Sequence, residues 1–356
     1  MNTKPRKNEL SLMNVTLCFF VIFIHAASTA VSSADRSSAE YAILLTVWKY
    51  CSCAVPGFIF LAGLKLSLGL EKPFSYPKYL LGRVKRVLIP YIIAVIVYTL
   101  YFCAKGYAVF TPIGFISELL IGNTCAHFYF VVTIMQFYLT APLWRALARR
   151  LDSGVRVAAA LVASYFPMLI FGQYLADFLY IFDQSRVFAY ADRVFTTYLF
   201  WWVAGLAAGR YYESFKAEAS RSLLPASLLF ALGALLDGFL NYIHMTGRAN
   251  VWWLDTAHSF YIFTAILFLY ALAVRLSDSR LPELLSPIDR VSYSIYLWHP
   301  LSLYVADSLT ARLGGVSLTA ALAIRLAFGF IVTIGLCCAV GFASDRLKRR
   351  LKPSGK

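Results

Sequence analysis

The sequence predicts an all-α polytopic membrane protein, a bundle of about ten transmembrane helices with both termini cytoplasmic. Three observations carry this. Of the 356 residues, 60% are hydrophobic and only 14% charged, with a mean hydropathy of +0.67, whereas soluble domains are about 45–50% apolar and 25% charged. The apolar residues gather in runs of about 20, the length a helix needs to cross a hydrocarbon core roughly 30 Å thick. The remaining charges are distributed asymmetrically between alternate loops. This composition excludes a soluble cytosolic protein. The net charge of +15 would point to nucleic acid in a soluble chain, but basic loops account for it here, so no nucleic-acid partner is expected.

The first run, 11–31, follows Lys4, Arg6 and Lys7. Its apolar stretch from Val15 to Ile24 and the small residues through Ala34 have the outline of a secretory signal, but His25 within it argues for a retained span. Runs at 42–69, 87–104, 127–147 and 155–175 come next, then a short one at 194–209. That short run contains Gly205-Leu206-Ala207-Ala208-Gly209, a small-xxx-small spacing that lets two helices approach closely. Runs at 223–243, 255–275, 290–309 and 318–343 complete the ten. Segments 1–10, 70–86, 145–156, 210–222, 275–290 and 345–356 hold 24 of the 33 Lys and Arg, while the opposite loops hold Arg36, Lys105, Arg186, Arg193, Arg248 and Arg312. Cytoplasmic flanks are enriched in Lys and Arg, so the predicted topology is N-in and C-in. No linker, repeat or low-complexity tract marks off a second domain, and residues 1–356 read as one integral-membrane domain. The outer loops 105–126 and 176–193 are too short to fold alone.

The seven cysteines, Cys18, Cys51, Cys53, Cys103, Cys125, Cys337 and Cys338, lack CxxC spacing and lie mostly within spans, against a disulfide framework or a zinc site. A bridge between Cys103 and Cys125 stays open. Ionisable side chains within spans are few: His25, Lys49, Lys65, Asp237, His299 and Arg325. Each is a functional candidate because an unpaired charge in hydrocarbon is costly. On the predicted topology His25, Lys49, Asp237 and Arg325 occupy the outer halves of their helices, with His127, His244 and His258 at outer helix ends. They point to a hydrated cavity open to the outside, for which His127, Asp237 and Arg325 are the substrate-binding candidates. Lys49 and Lys65 are read as snorkelling, and His244 and His258 as interface anchors. A plain structural pair between Asp237 and Arg325 is the competing reading of those two residues.

Four segments could carry chemistry. In the first run Asn14 and His25 are separated by eleven residues, three helical turns, and share a face about 16 Å apart; an imidazole there can accept a hydroxyl proton or serve as a core histidine bonded to a carbonyl. In Tyr79-Leu80-Leu81-Gly82-Arg83-Val84-Lys85-Arg86, Arg83 and Arg86 lie three apart on a helix, so that paired guanidinium forks could take phosphate oxygens, although a basic cytoplasmic flank would look the same. His127-Phe128-Tyr129-Phe130 opens the fourth helix, followed by Gln136, Tyr138 and Pro142. In Ser292-Tyr293-Ser294-Ile295-Tyr296-Leu297-Trp298-His299-Pro300-Leu301, Ser292, Tyr296 and His299 form an i, i+4, i+7 stripe. Pro300 there perturbs the turn beside His299.

Together these motifs, with their order and spacing across nearly the whole chain, resemble the acyltransferase family 3 integral membrane proteins. Val55-Pro56-Gly57-Phe58-Ile59-Phe60-Leu61-Ala62-Gly63 also resembles the family's aromatic-rich glycine segment, with Ala62 where Ser is usual. The resemblance implies transfer of an acyl group, usually acetyl, from a cytoplasmic acyl-CoA to hydroxyls of extracytoplasmic glycans or other cell-envelope acceptors. It makes His25 the essential histidine and places Arg83 and Arg86 on the donor side. One departure stands out: Asn14 occupies the position, eleven before the histidine, where the family commonly has Arg or Lys.

The expected activity is therefore that of a cell-membrane O-acyltransferase using acyl-CoA. His25 is the base, with Tyr296, His299 or Ser292 donating to the developing oxyanion; Arg83, Arg86 and Asn14 lie on the donor side. No metal is required, since the thioester supplies a good leaving group. The expected partners are acyl-CoA, an envelope glycan or lipid-linked acceptor, and membrane lipids. The competing expectations are a transporter or exporter of a lipid-linked sugar, amino acid or glycan, and a non-enzymatic partner of a glycan synthase.

Overall fold

The computed structural model describes residues 7–171, 190–251 and 253–351. The 176–189 part of the predicted outer loop, the end of the 155–175 run, Lys4, Arg6 and the last five residues lie outside them. The described residues are helical, and no strand occurs among them. The chain divides into two compact units, one of Met1–Val55 with Lys216–Lys356 and one of Pro56–Phe215.

The first unit starts with α1 (Asn8–Ser33) and α2 (Ala39–Tyr50), whose N-terminus is capped by Ser38 Oγ accepting from the Tyr41 amide at 3.0 Å. A 3₁₀ turn at Cys51–Cys53 interrupts the helical run before α3 (Ala54–Ser67). After the intervening helices come α12 (Leu223–Met245), α13 (Leu254–Leu276), α14 (Leu281–Leu313), α15 (Leu318–Ala327) and α16 (Thr333–Leu351). α12 and α13 form a tight hairpin: a Cβ at Gly233 would lie 2.7 Å from Thr264 Oγ1. The opposite side of α12 exposes Leu224, Leu228, Leu232, Leu235 and Phe239. Such a stripe would be an aggregation hazard in water and is the surface a lipid-facing helix needs.

The second unit contains the rest of α3 and then α4 (Tyr76–Arg83), α5 (Ile89–Ala104), α6 (Pro112–Ile121), α7 (Tyr129–Leu139), α8 (Ala141–Arg150), α9 (Gly154–Leu169) and α10 (Leu199–Arg210). α11 (Tyr212–Arg221) leads back to the first unit in sequence. Between α4 and α5 lies a π-turn at Val84–Leu88, in which the Ile89 N–H reaches back to the Val84 carbonyl. Its cause is Pro90, which has no N–H for the Arg86 carbonyl and crowds it, so the ladder widens ahead of the ring. Gln136 on α7 holds the 191–195 turns, donating to the Arg193 carbonyl at 2.6 Å and accepting from the Phe195 amide at 3.2 Å. The core around it stacks Phe137 on Trp202, with ring centres 4.3 Å apart.

Six helical stretches are long and apolar enough to cross a membrane: Asn8–Ser33, Ala39–Ser67, Tyr76–Ala104, Leu223–Met245, Leu254–Leu276 and Leu318–Lys348. A seventh results if α7 and α8, bent by 64° at Thr140, count as one span. The chain is thus a multi-pass membrane protein, and the difference from ten runs has local causes. The 194–209 run contains only the 12-residue α10, and the described part of 155–175 only the 16-residue α9. The 290–309 run sits inside α14, a 33-residue helix about 50 Å long, whose Ser, Tyr, His and Asp side chains lower its hydropathy. None of the seven cysteines forms a disulfide, so Cys103 and Cys125 are not bridged.

Candidate functional site

In the first unit α1 and α14 run side by side in the same direction, because the contacts advance together along both chains. Ser11 donates to Asp289, Asn14 Nδ2 donates to Asp289 Oδ1 at 2.7 Å and to Ser292 Oγ at 3.0 Å, and further on the His25 and His299 rings lie 5.1 Å apart. The eleven-residue spacing thus puts Asn14 and His25 on the face that meets the Ser292–His299 stripe.

His299 is fully buried, and Pro300 explains its orientation. Pro300 cannot donate to the Tyr296 carbonyl one turn back; His299 Nδ1 lies 2.9 Å from that carbonyl and 3.1 Å from that of Ile295. Carbonyls only accept, so Nδ1 carries the hydrogen and Nε2 is the acceptor nitrogen of the neutral ring. Tyr296 is buried beside it, with ring centres 6.3 Å apart. Ser292 lies two turns away, and its hydroxyl accepts from Asn14 and donates to the Asp289 carbonyl at 3.0 Å.

Arg325 is buried next to His25 but binds its backbone. Its Nη2 donates to the His25 carbonyl at 2.7 Å and its Nε to the Ala26 carbonyl at 2.8 Å, while Nη1 pairs with Asp307 of α14. A structural pair between Asp237 and Arg325 is therefore ruled out. Asp237, buried on α12, instead accepts from His258 Nδ1 at 2.9 Å, and His258 Nε2 lies 2.7 Å from Ser52 Oγ. His258 is thus more than an interface anchor. Asp237 also lines a cavity of about 590 Å³ together with Lys49, Tyr50, Asn241 and Arg248.

In the second unit Arg83 and Arg86 have different surroundings. The Arg83 guanidinium is held between the rings of Tyr79 and Tyr138, 4.9 and 4.5 Å from their centres, whereas Arg86 is exposed. The π-turn between them removes the three-residue α-helical register on which a single paired fork would depend. His127 is buried against Phe128 and Tyr98, with ring centres 4.3 and 6.1 Å away. Arg145, counted in the sequence only as a loop charge, is also buried. It donates to the Gly69 and Leu70 carbonyls at 2.9 and 3.0 Å, at the edge of a cavity of about 640 Å³ that also includes Lys72 and Arg149. Nothing in its local spacing distinguishes it from its exposed neighbours.

A sequence model of the family described as "Acyltransferase domain" matches residues 7–342. The chain belongs to acyltransferase family 3. Among curated proteins it is similar to the "Probable poly-beta-1,6-N-acetyl-D-glucosamine export protein" of Staphylococcus aureus strains MSSA476, Mu50 and MRSA252. It is 24% identical to each over 347 residues, covering 95% of this chain and 93% of theirs. No solved structure matches.

Within the family the departure at Asn14 now has a physical setting, because its amide faces a carboxylate. Asn14→Arg should be tolerated, with membrane level and thermal midpoint near wild type, since the new guanidinium finds Asp289 in place. Asn14→Leu deletes the amide that bonds two half-buried acceptors and should cost about 1–2 kcal/mol, roughly the net worth of those hydrogen bonds. Thermal unfolding in detergent checks both, and equal stability of the Leu and Arg variants would show that the cluster contributes nothing.

Proposed function

We propose that the chain is a membrane O-acyltransferase moving an acyl group, acetyl by family resemblance, from a cytoplasmic acyl-CoA to a hydroxyl of an extracytoplasmic cell-envelope glycan or lipid-linked acceptor. The observation that carries this reading is the pairing of His25 with a tautomer-fixed His299 on two parallel helices. His25 takes the proton of the acceptor hydroxyl as that oxygen attacks the acyl carbon. We assign the hydroxyl of Tyr296, buried one turn before His299, to the developing oxyanion, with Ser292, two turns away and bonded to Asn14, and the carbonyl-bound Nδ1–H of His299 as the less favoured donors. Arg83, preorganised between two rings, takes donor phosphate with Arg86 in support. Arg325 positions the backbone of His25, and the cavity beside Asp237 serves the acceptor; His127, in its aromatic setting in the second unit, is a further acceptor-binding candidate. In this reading about ten helical segments cross or enter the cell membrane and both termini are cytoplasmic, as the Lys and Arg distribution favours.

The name of the staphylococcal relatives favours a second reading, export of a glycan. Mass spectrometry of envelope glycans from cells with and without the gene separates the two. The expected result is loss of acyl substituents from the glycan with its surface amount unchanged. Glycan retained inside the cell, with its acylation intact, would decide for export.

A further inference from the structure

Ser52, His258 and Asp237 come from three separate segments of the first unit and make one chain of contacts. Ser52 Oγ lies 2.7 Å from His258 Nε2, and His258 Nδ1 lies 2.9 Å from Asp237 Oδ1. A carboxylate only accepts, so the hydrogen of the neutral ring is on Nδ1 and the lone pair of Nε2 faces the serine hydroxyl. This is the tautomer a base needs to activate a serine, and the order hydroxyl, imidazole, buried acid is that of an activated nucleophile on any fold. Asp237 is 1% exposed, and its second carboxylate oxygen has no partner among the described residues. A purely structural acid in the hydrocarbon region would be expected to have both oxygens satisfied.

The location of Ser52 supports the same assignment. It sits in the 3₁₀ turn at Cys51–Cys53, a break in a long helical run of the kind that marks functional positions, and is half-buried. Trp48, four residues earlier, donates to the Ile24 carbonyl at 3.0 Å. The helix that ends in this turn therefore packs against α1 one residue before His25, with Ser52 one helical turn further on. We propose that Ser52 carries the acyl group as an ester between donor and acceptor, with His258 as its base and Asp237 as a positioning residue. The proposal rests on the acyl-transfer reading above and divides the two proton transfers between two histidines.

In the first half, Ser52 Oγ attacks the thioester carbonyl. The Oγ–C bond forms, the C–S bond breaks, the thiolate leaves, and the hydroxyl proton stays on His258. In the second half the acceptor hydroxyl loses its proton to His25 and attacks the Ser52 ester. The new O–C bond forms, the bond to Oγ breaks, and His258 returns its proton to Oγ. The proton on His25 then passes through water to the thiolate, which closes the balance.

The division predicts opposite behaviour for the two histidines. Full-length protein in lipid nanodiscs is given radiolabelled acetyl-CoA without acceptor, then digested for peptide mass spectrometry. The expected result is that wild type and His25→Ala carry one acetyl ester at Ser52, and that acceptor releases it from wild type only. Ser52→Ala and His258→Ala should carry none, and Asp237→Asn should form it roughly 10²–10⁴-fold more slowly. Ser52→Cys, able to hold the group as a thioester, guards against a folding defect in the Ala variant. A fluorophosphonate probe, which needs no acyl-CoA, tests the activated serine separately. Labelling of Ser52 that His258→Ala abolishes supports the relay, and such labelling without acetyl uptake would place the fault with acyl-CoA as donor. Transfer by a folded Ser52→Ala variant at the wild-type rate would overturn the proposal and leave direct transfer from acyl-CoA standing. Absence of both adduct and probe label would overturn it too.

Discussion

His25→Ala should lower acyl transfer to acceptor by roughly 10²–10⁴-fold, the usual cost of removing a positioned base, with membrane level and thermal midpoint close to wild type. The structure makes this variant informative because the bonds by which Arg325 holds α1 at this point go to backbone carbonyls. Arg325 donates to the His25 and Ala26 carbonyls, and both bonds survive loss of the ring. What is removed is the half-buried imidazole facing His299. Arg325→Leu offers the contrast: it breaks the ion pair with Asp307 and leaves two carbonyls without their donor, so stability and activity should fall together. Acyl transfer per folded molecule, measured in the same nanodiscs as thermal unfolding, separates the cases. Full activity in His25→Ala would remove the base assignment, and unfolding in parallel with Arg325→Leu would make His25 a packing residue.

The parts legible in the sequence are those set by spacing along one helix. Asn14 and His25 share a face, Ser292, Tyr296 and His299 form a stripe, and Gly205 and Gly209 form a close-approach seam, because a helical period fixes each relation locally. Partner choice across the bundle was not legible. Asp289 and Asp307 look like loop or interface acids, yet one receives Asn14 and the other pairs with Arg325, leaving Asp237 to His258. The Ser52 contact needed the 3₁₀ break after Tyr50, which no Gly at that point announces. The Arg83–Arg86 register failed for an identifiable reason: Pro90 forces a π-turn, and its effect falls on the residues before it. Among the described residues, the helices long and apolar enough to span number fewer than the ten runs where polarity and bending interrupt hydrophobic length, as at Thr140 and along α14.

Gly205→Leu should be among the most damaging substitutions in the second unit. α10 crosses α3 so closely that a Cβ built on Gly205 would overlap the Phe60 carbonyl oxygen and lie 3.0 Å from the Leu64 amide, while one on Gly209 would meet the Leu64 carbonyl and one on Gly63 the Trp202 carbonyl at 2.5 Å. All three obstacles are backbone atoms of the facing helix, which cannot rotate aside as a side chain would, so a larger residue must push the helices apart. Overpacking typically costs about 1–3 kcal/mol, and Ala at a helical glycine recovers only about 0.5–1 kcal/mol of backbone entropy. Gly205→Ala should therefore be net destabilising by about 1–2 kcal/mol, and Gly205→Leu should reduce the yield of folded protein outright. Gly82 on α4 is the internal control, since a Cβ there meets nothing within 4 Å, and Gly82→Ala should be neutral or slightly stabilising. Thermal midpoints in detergent and folded yield from membranes check the series. If Gly205→Ala were as stable as Gly82→Ala, the two helices would have to separate at little cost, and close backbone contact would not be what holds α3 to α10.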